Sequence, residues 1–288
     1  MSKQTDINEK MRAILIDWLV EVHLKFKLMP ETLYLTVNVL DRFLTVKDVH
    51  RSRLQLVGCA SMLVAAKYEE IYAPEVRDFV YISDKAFTRD DVLAMESEII
   101  NTLAFNFTVP TTYHFLNRFF KVRANRRSQR ARSRCRLAQI PYISHRNERE
   151  RLMGDCFHVF CVALCCQAAG AEPGCKFKQA ARYYAERTLQ EYKFLKYRSS
   201  MIAAAACSLA LKATRGEATQ CPLGAWSPAL QQHSSYAEAD LHHCMYDITA
   251  CIRRGEKKSL KAVKKKYASH RFLGAANLPI APVPRPSA

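Results

Sequence analysis

No apolar run in this sequence is long enough to cross a bilayer. The most apolar stretches, Leu54–Lys67 and Met201–Lys212, meet a polar residue or an end before the roughly 18 positions a spanning helix needs. A membrane-spanning protein is therefore not expected. The opening residues, MSKQTDINEK, lack the apolar centre of a secretory signal, so the 11 cysteines are expected as thiols in a reducing compartment, not as a disulfide framework. Acidic residues are scarce. There are 27 Asp and Glu against 44 Lys and Arg, a formal charge of +17, which suits either an acidic protein surface or nucleic acid. With 288 residues, 49% of them hydrophobic, the chain can close one large domain or two of about 100–150 residues each.

What the sequence has in quantity is helical periodicity. Ile7, Met11, Ile14, Leu15, Trp18, Leu19 and Val22 recur at spacings of three and four, which predicts a helix from about Asp6 to Phe26. Pro30 ends the connection and suits the first turn of a second helix, Glu31–Thr45, with Leu33, Val37, Leu40 and Leu44 inward. The third, Ser52–Tyr68, is apolar on most sides and rich in Gly, Ala, Cys and Ser, as expected of a central helix closely approached by its neighbours. Pro74 opens a short fourth helix to about Tyr81. Thr88 caps a fifth through Leu103, with Asp91 completing a capping box, and Pro110 closes the unit. The pattern then recurs in Thr111–Ala124, Phe177–Leu195, the apolar Met201–Ala213, a short helix from Ser227-Pro228, Tyr236–Arg254 and the lysine-rich Glu256–Tyr267. From Ala268 the chain holds four prolines and too little apolar material to fold alone, so 268–288 is expected as a flexible tail.

Asn125–Lys176 breaks the pattern. It holds nine Arg and one Lys against four acidic residues, and six of the 11 cysteines. About 50 residues between two helices of a bundle far exceeds the usual two to eight, so the segment reads as an insert.

MRAILIDWLVEVHLKF (Met11–Phe26), ETLYLTVNVLDRFL (Glu31–Leu44), LQLVGCASMLVAAKYEEIYAPEV (Leu54–Val76) and YKFLKYRSSMIAAAACSLA (Tyr192–Ala210) together resemble the cyclin family, in particular mitotic B-type cyclins of plant or algal kind; WSP (Trp226–Pro228) and LKAVKKKY (Leu260–Tyr267) fit its closing part. The resemblance implies an all-α fold of two tandem five-helix cyclin boxes: 1–109 as the first, 110–267 as the second interrupted at 125–176. It also implies a non-enzymatic subunit that activates a cyclin-dependent protein kinase in G2/M control, in nucleus and cytoplasm, with no cofactor. Relative to the family, the sequence starts late: the N-terminal destruction-box region and part of a preceding helix are expected to be missing.

Residue by residue, the resemblance implies a kinase-binding face of Lys67, Glu69, Glu70, Ile71, Glu96, Ile100, Phe105 and Phe107. Lys67 and Glu96 would anchor it, with Ile71 and Phe105 as apolar contacts. Without the resemblance, Lys67 and Glu96 read as a surface salt bridge worth roughly 0–1 kcal/mol. A second patch, Met11, Ile14, Leu15, Trp18, Glu21, Leu54 and Gln55, would dock substrates or inhibitors carrying Arg-x-Leu-type motifs, with Glu21 receiving the basic side chain. The plain alternative for that stripe is helix core. Arg12 and Asp17 are expected to be structural, holding the first box together through buried polar contacts.

Other readings carry less. A zinc site at Cys156, His158, Cys161, Cys165 and Cys166 lacks the paired cysteine knuckles such sites use, so no metal is expected. The six lysines of Lys257–Lys266 read as a solvated helix face. A nucleic-acid-binding transcription factor with cyclin-type boxes is the alternative from another class, and an inactive truncated paralogue a third. Nucleic acid is not the expected partner, because the insert alone contributes +6 of the charge and adjacent Glu69 and Glu70 repel phosphate.

Overall fold

The computed structural model describes residues 4–121, 175–214, 226–255 and 260–285, and all regular structure among them is helical. In the first unit α1 spans Glu9–Phe26. It starts where Asn8 accepts a hydrogen bond from the Met11 amide at 3.0 Å, and it ends where Lys27 turns left-handed at φ 56°. Next come α2 (Pro30–Val46), α3 (Leu54–Glu69), α4 (Val76–Ile82) and α5 (Arg89–Thr102). The capping box on α5 forms as the sequence predicts. The Thr88 amide donates to Asp91 Oδ2 at 2.9 Å and the Asp91 amide to Thr88 Oγ1 at 3.1 Å. Residues 112–121 are helical and form α6.

The core sits around α3, whose residues Leu56 to Ala66 are all buried against α2, α5 and α1. Close approach needs a residue without a side chain at one crossing: a Cβ on Gly58 would lie 2.9 Å from Leu15 Cδ1. The second unit repeats this plan. In it α7 (Lys176–Leu189), α9 (Pro228–Ser234) and α10 (His242–Gly255) surround α8 (Ser199–Ala213), of which Ile202 to Leu211 are buried; α11 (Ala262–Ala268) closes the unit against α7 and α1.

Three expectations are corrected. The helix expected over Phe177–Leu195 stops at Leu189, and Tyr192–Lys196 is a separate 3-10 turn, because Glu191 is extended and Gln190 turns its side chain to α1. The helix expected from Tyr236 begins at His242, after a turn in which the Ala237 amide donates to Asp240 at 2.8 Å. Finally, residues 269–285 are not a free tail. They form turns at His270–Phe272 and Ala275–Asn277, the Phe272 ring meets Tyr267 at 4.9 Å, and Ala275 and Val283 are buried. Phe272, Leu278, Ile280 and Val283 let this strap cover an existing core without needing one of its own. The expected insert lies outside the described residues except for Cys175 and Lys176, where α7 already begins.

The two units meet along a polar seam. Arg12, fully buried, makes a two-pronged ion pair with Asp41 at 2.6 and 2.7 Å and donates to the Leu189 carbonyl at 3.0 Å. Asp17 accepts from Gln190 Nε2 and, at 3.0 Å, from the amide of Ala262, the first residue of α11. Lys261 supplies no side-chain cap there, so Asp17 caps α11 from the other unit. Burial raises the Asp17 carboxyl pKa against these hydrogen bonds. Arg12 thus pairs within the first unit through Asp41, and both Arg12 and Asp17 also tie that unit to the second. Nearby, buried Glu186 holds Lys266 Nζ at 2.7 and 2.8 Å and the Tyr267 hydroxyl at 2.8 Å.

Candidate functional site

The expected kinase-binding residues fall at the C-terminal end of α3 and on α5 with the connection that follows it. Lys67 Nζ reaches Glu96 across the α3–α5 contact, donating to Oε2 at 2.8 Å and lying 2.8 Å from Oε1, which receives no aligned hydrogen bond. Lys67 is exposed and Glu96 buried, so the ammonium stands at the surface over a buried carboxylate. Two apolar side chains stand out beside them. Ile71 is 71% exposed and Phe105 is 72% exposed. Ala104 and Phe105 hold left-handed backbones at φ 49° and 56°, a conformation that costs a residue with a Cβ about 1–2 kcal/mol and turns Phe105 away from the core. The end of α3 is tied to this segment through the Tyr68 hydroxyl, 2.6 Å from Thr108 Oγ1, and through the Tyr68 ring, edge-on to Phe107.

Other members of the expected face have different surroundings. Phe107 is buried, an ordinary core contact, which corrects its assignment to the exposed face: its ring packs under Tyr68. Glu70 is turned inward, accepting from the Met29 amide at 2.7 Å and from Thr32 Oγ1, so it caps α2. Glu69 and Ile100 are half-buried, and burial raises the Glu69 carboxyl pKa. Tyr72, 92% exposed and overlooked in the sequence, extends the patch. Its position between two short polar strings, KYEE and APEV, was the only available signal.

The expected docking stripe divides between surface and core. Ile14 and Glu21 are exposed, Met11, Trp18 and Gln55 are half-buried, and Leu15 and Leu54 are buried. Leu15 and Leu54 belong to the core, with Leu15 wedged on Gly58. The N-terminal segment lies alongside: Gln4 donates to the Leu44 and Lys47 carbonyls at 2.6 Å each, and Asp6 accepts from the Arg51 amide at 2.8 Å and pairs with its guanidinium. That partnership holds the Asp6 carboxyl down at about 2.

Comparison with known proteins identifies the chain. The family description "Cyclin, N-terminal domain" matches residues 1–108 and "Cyclin, C-terminal domain" matches residues 157–281. The chain belongs to the cyclin family. Among relatives, Cyclin-B2-1 of Oryza sativa subsp. japonica is 39% identical over 276 residues, 96% of this chain and 53% of that protein. Cyclin-A1-1 of the same species is 36% identical over 279 residues, 97% of this chain and 46% of that protein. G2/mitotic-specific cyclin-B of Patella vulgata is 37% identical over 274 residues, 95% and 54% of the two chains. This cyclin therefore spans about half the length of the relatives it matches, and A- and B-type relatives match it at similar identity. A viral cyclin from herpesvirus saimiri has the same fold, with a TM-score of 0.55 at 19% identity over 95% of this chain and 89% of that one. The two clusters of helices coincide with the two matched domains, the tandem-box fold expected from the sequence. The second match starts inside the expected insert and runs through most of the packed strap.

Among the described residues no three His, Cys, Asp or Glu side chains are placed to hold a metal ion. Cys59, Cys244 and Cys251 are buried free thiols whose pKa burial pushes up to about 12, 12 and 11, which keeps them protonated and unreactive. The cysteines of the zinc reading lie outside the described residues.

Proposed function

We propose that this cyclin is the activating, non-catalytic subunit of a cyclin-dependent protein kinase, acting in nucleus and cytoplasm in G2/M control as a B-type cyclin. The observation that carries the reading is the exposed pair Ile71 and Phe105 beside the Lys67–Glu96 ion pair. Two large apolar groups are held in water, Phe105 at a backbone cost, and bound aliphatic and aromatic groups of this kind dominate interface energies. Bound there, the kinase's regulatory helix would be pushed inward so that its glutamate meets the ATP-orienting lysine. ATP, metal and phosphoryl transfer all belong to the kinase. Ile14, Trp18, Glu21 and Gln55 form the docking slot for Arg-x-Leu motifs of substrates and inhibitors.

Because Ile71 and Phe105 are exposed, truncating them leaves no cavity. Ile71→Ala and Phe105→Ala should each weaken binding to a cyclin-dependent kinase at least tenfold, measured by calorimetry, with thermal unfolding unchanged. Undiminished affinity in both variants would refute the assignment. The Lys67→Ala, Glu96→Ala double variant should weaken binding comparably.

A further inference from the structure

The charge of the chain is divided unevenly. Residues 1–124 carry 16 Lys and Arg and 16 Asp and Glu, while 177–288 carry 18 against seven; everything outside the arginine-rich 125–176 that is not neutralised therefore lies in the second box. Within 251–288 there are ten Lys and Arg and a single acid, Glu256. The structure gathers several of these on one corner. Arg253 and Arg254 end α10, where the Arg187 guanidinium occupies the space a Cβ on Gly255 would need. Both α10 and α11 pack against α7, which carries Arg187, and Asp17 caps Ala262 at the start of α11, so the end of α10 and the start of α11 flank one helix. Lys261 and Lys265 project from α11 while Ala262, Val263, Lys266 and Tyr267 face inward. Arg253, Arg254, Lys261 and Lys265 are all exposed, and none has an ion-pair partner among the described residues.

Charges so close reinforce one another. The seven residues of α11 span about 10 Å, near one Debye length at physiological salt. Among the described residues of 251–285 no large hydrophobic one is exposed, so the corner offers no apolar anchor with which to grip a folded acidic protein. Point charges without anchors suit a repeating phosphate backbone. We infer that the α10–α11 corner of the second box is a docking surface for the phosphate backbone of duplex nucleic acid, independent of base sequence. The expectation against nucleic acid weighed the charge of 125–176 and the glutamates of the first box; the α10–α11 corner belongs to the second box.

The test uses the full chain and a 20-base-pair duplex of mixed sequence, with affinity read by fluorescence anisotropy across salt concentrations. Neutralising Arg253, Arg254, Lys261 and Lys265 to Gln should remove about four phosphate contacts, reducing the slope of log K against log salt by about 3.6. Over a fourfold rise in salt, that portion of binding corresponds to a change of about 150-fold. Exchanging Arg for Lys and Lys for Arg at the same positions should keep the slope, which separates charge from folding. An unchanged slope in the neutral variant would overturn the proposal and assign binding to 125–176. So would a poly-glutamate chain that binds more tightly than the duplex with the same dependence on these four residues, since the partner would then be an acidic polypeptide.

Discussion

Replacing Glu186 by Gln tests the energetics of the second box at its most committed point. The carboxylate is almost fully buried and receives both prongs of the Lys266 ammonium and the Tyr267 hydroxyl. In the variant the Lys266 side chain, 3% exposed, keeps its charge with no counter-ion. Breaking a buried pair from one side costs about 3–5 kcal/mol, far more than the net worth of the intact pair, because the remaining charge stays out of water. At about 2–4 °C per kcal/mol for a chain of this size, the midpoint should fall by roughly 6–20 °C. Replacing both partners by apolar groups, Glu186→Leu with Lys266→Met, removes the orphaned charge and leaves only the Tyr267 hydroxyl unpaired, at about 1–3 kcal/mol. The double variant should therefore be more stable than either single one in a urea-unfolding cycle, with a coupling of at least about 2 kcal/mol. Additive losses, or a loss below about 1 kcal/mol for Glu186→Gln, would refute the reasoning.

Acid should weaken the fold through His23. Burial pushes its imidazole down to about 3, with Lys266 and Arg271 adding repulsion, and its Nε2 lies 3.0 Å from the Met29 carbonyl. The unfolded chain thus takes up a proton below about pH 6.5 that the folded chain refuses. The associated stability is complete above that pH and declines by about 1.4 kcal/mol per unit as pH falls toward 3. Urea midpoints of His23→Gln should decline less steeply over this window, and parallel declines would exclude the role. For the docking slot, Glu21→Ala with Gln55→Ala should raise KM for a substrate containing an Arg-x-Leu element and leave kcat and a short peptide lacking it unaffected; equal changes on both substrates would rule out a separate docking function.

The parts of the fold legible in the sequence are those written locally. Thr88 and Asp91 announce the start of α5 three residues apart, and the unbroken small and apolar residues of α3 and α8 announce helices enclosed on all sides. Partners brought together by helix crossing carried no such mark. Arg12 lies on α1 and its carboxylate partner Asp41 lies on α2, 29 residues on, a pairing that no local spacing marks. Phe105 and Phe107 look alike in sequence, and only the left-handed turn between α5 and α6 sends one outward and the other into the core. The strap after α11 was misjudged for a related reason: Phe272, Leu278, Ile280 and Val283 pack on a core that distant helices build.

The cap on α11 also gives the chain an order of assembly. Asp17 leaves the ribosome 245 residues before Ala262, whose amide it receives. A first box that packs around α3 while the remainder is still being made leaves Asp17 and one side of the Arg12 guanidinium hydrated until their second-box partners arrive. Closing them is a late step. An interrupted chain that stops before α11 would then have a first box with its seam still wet, a species distinguishable from the finished protein by rapid amide exchange on the inner face of α1.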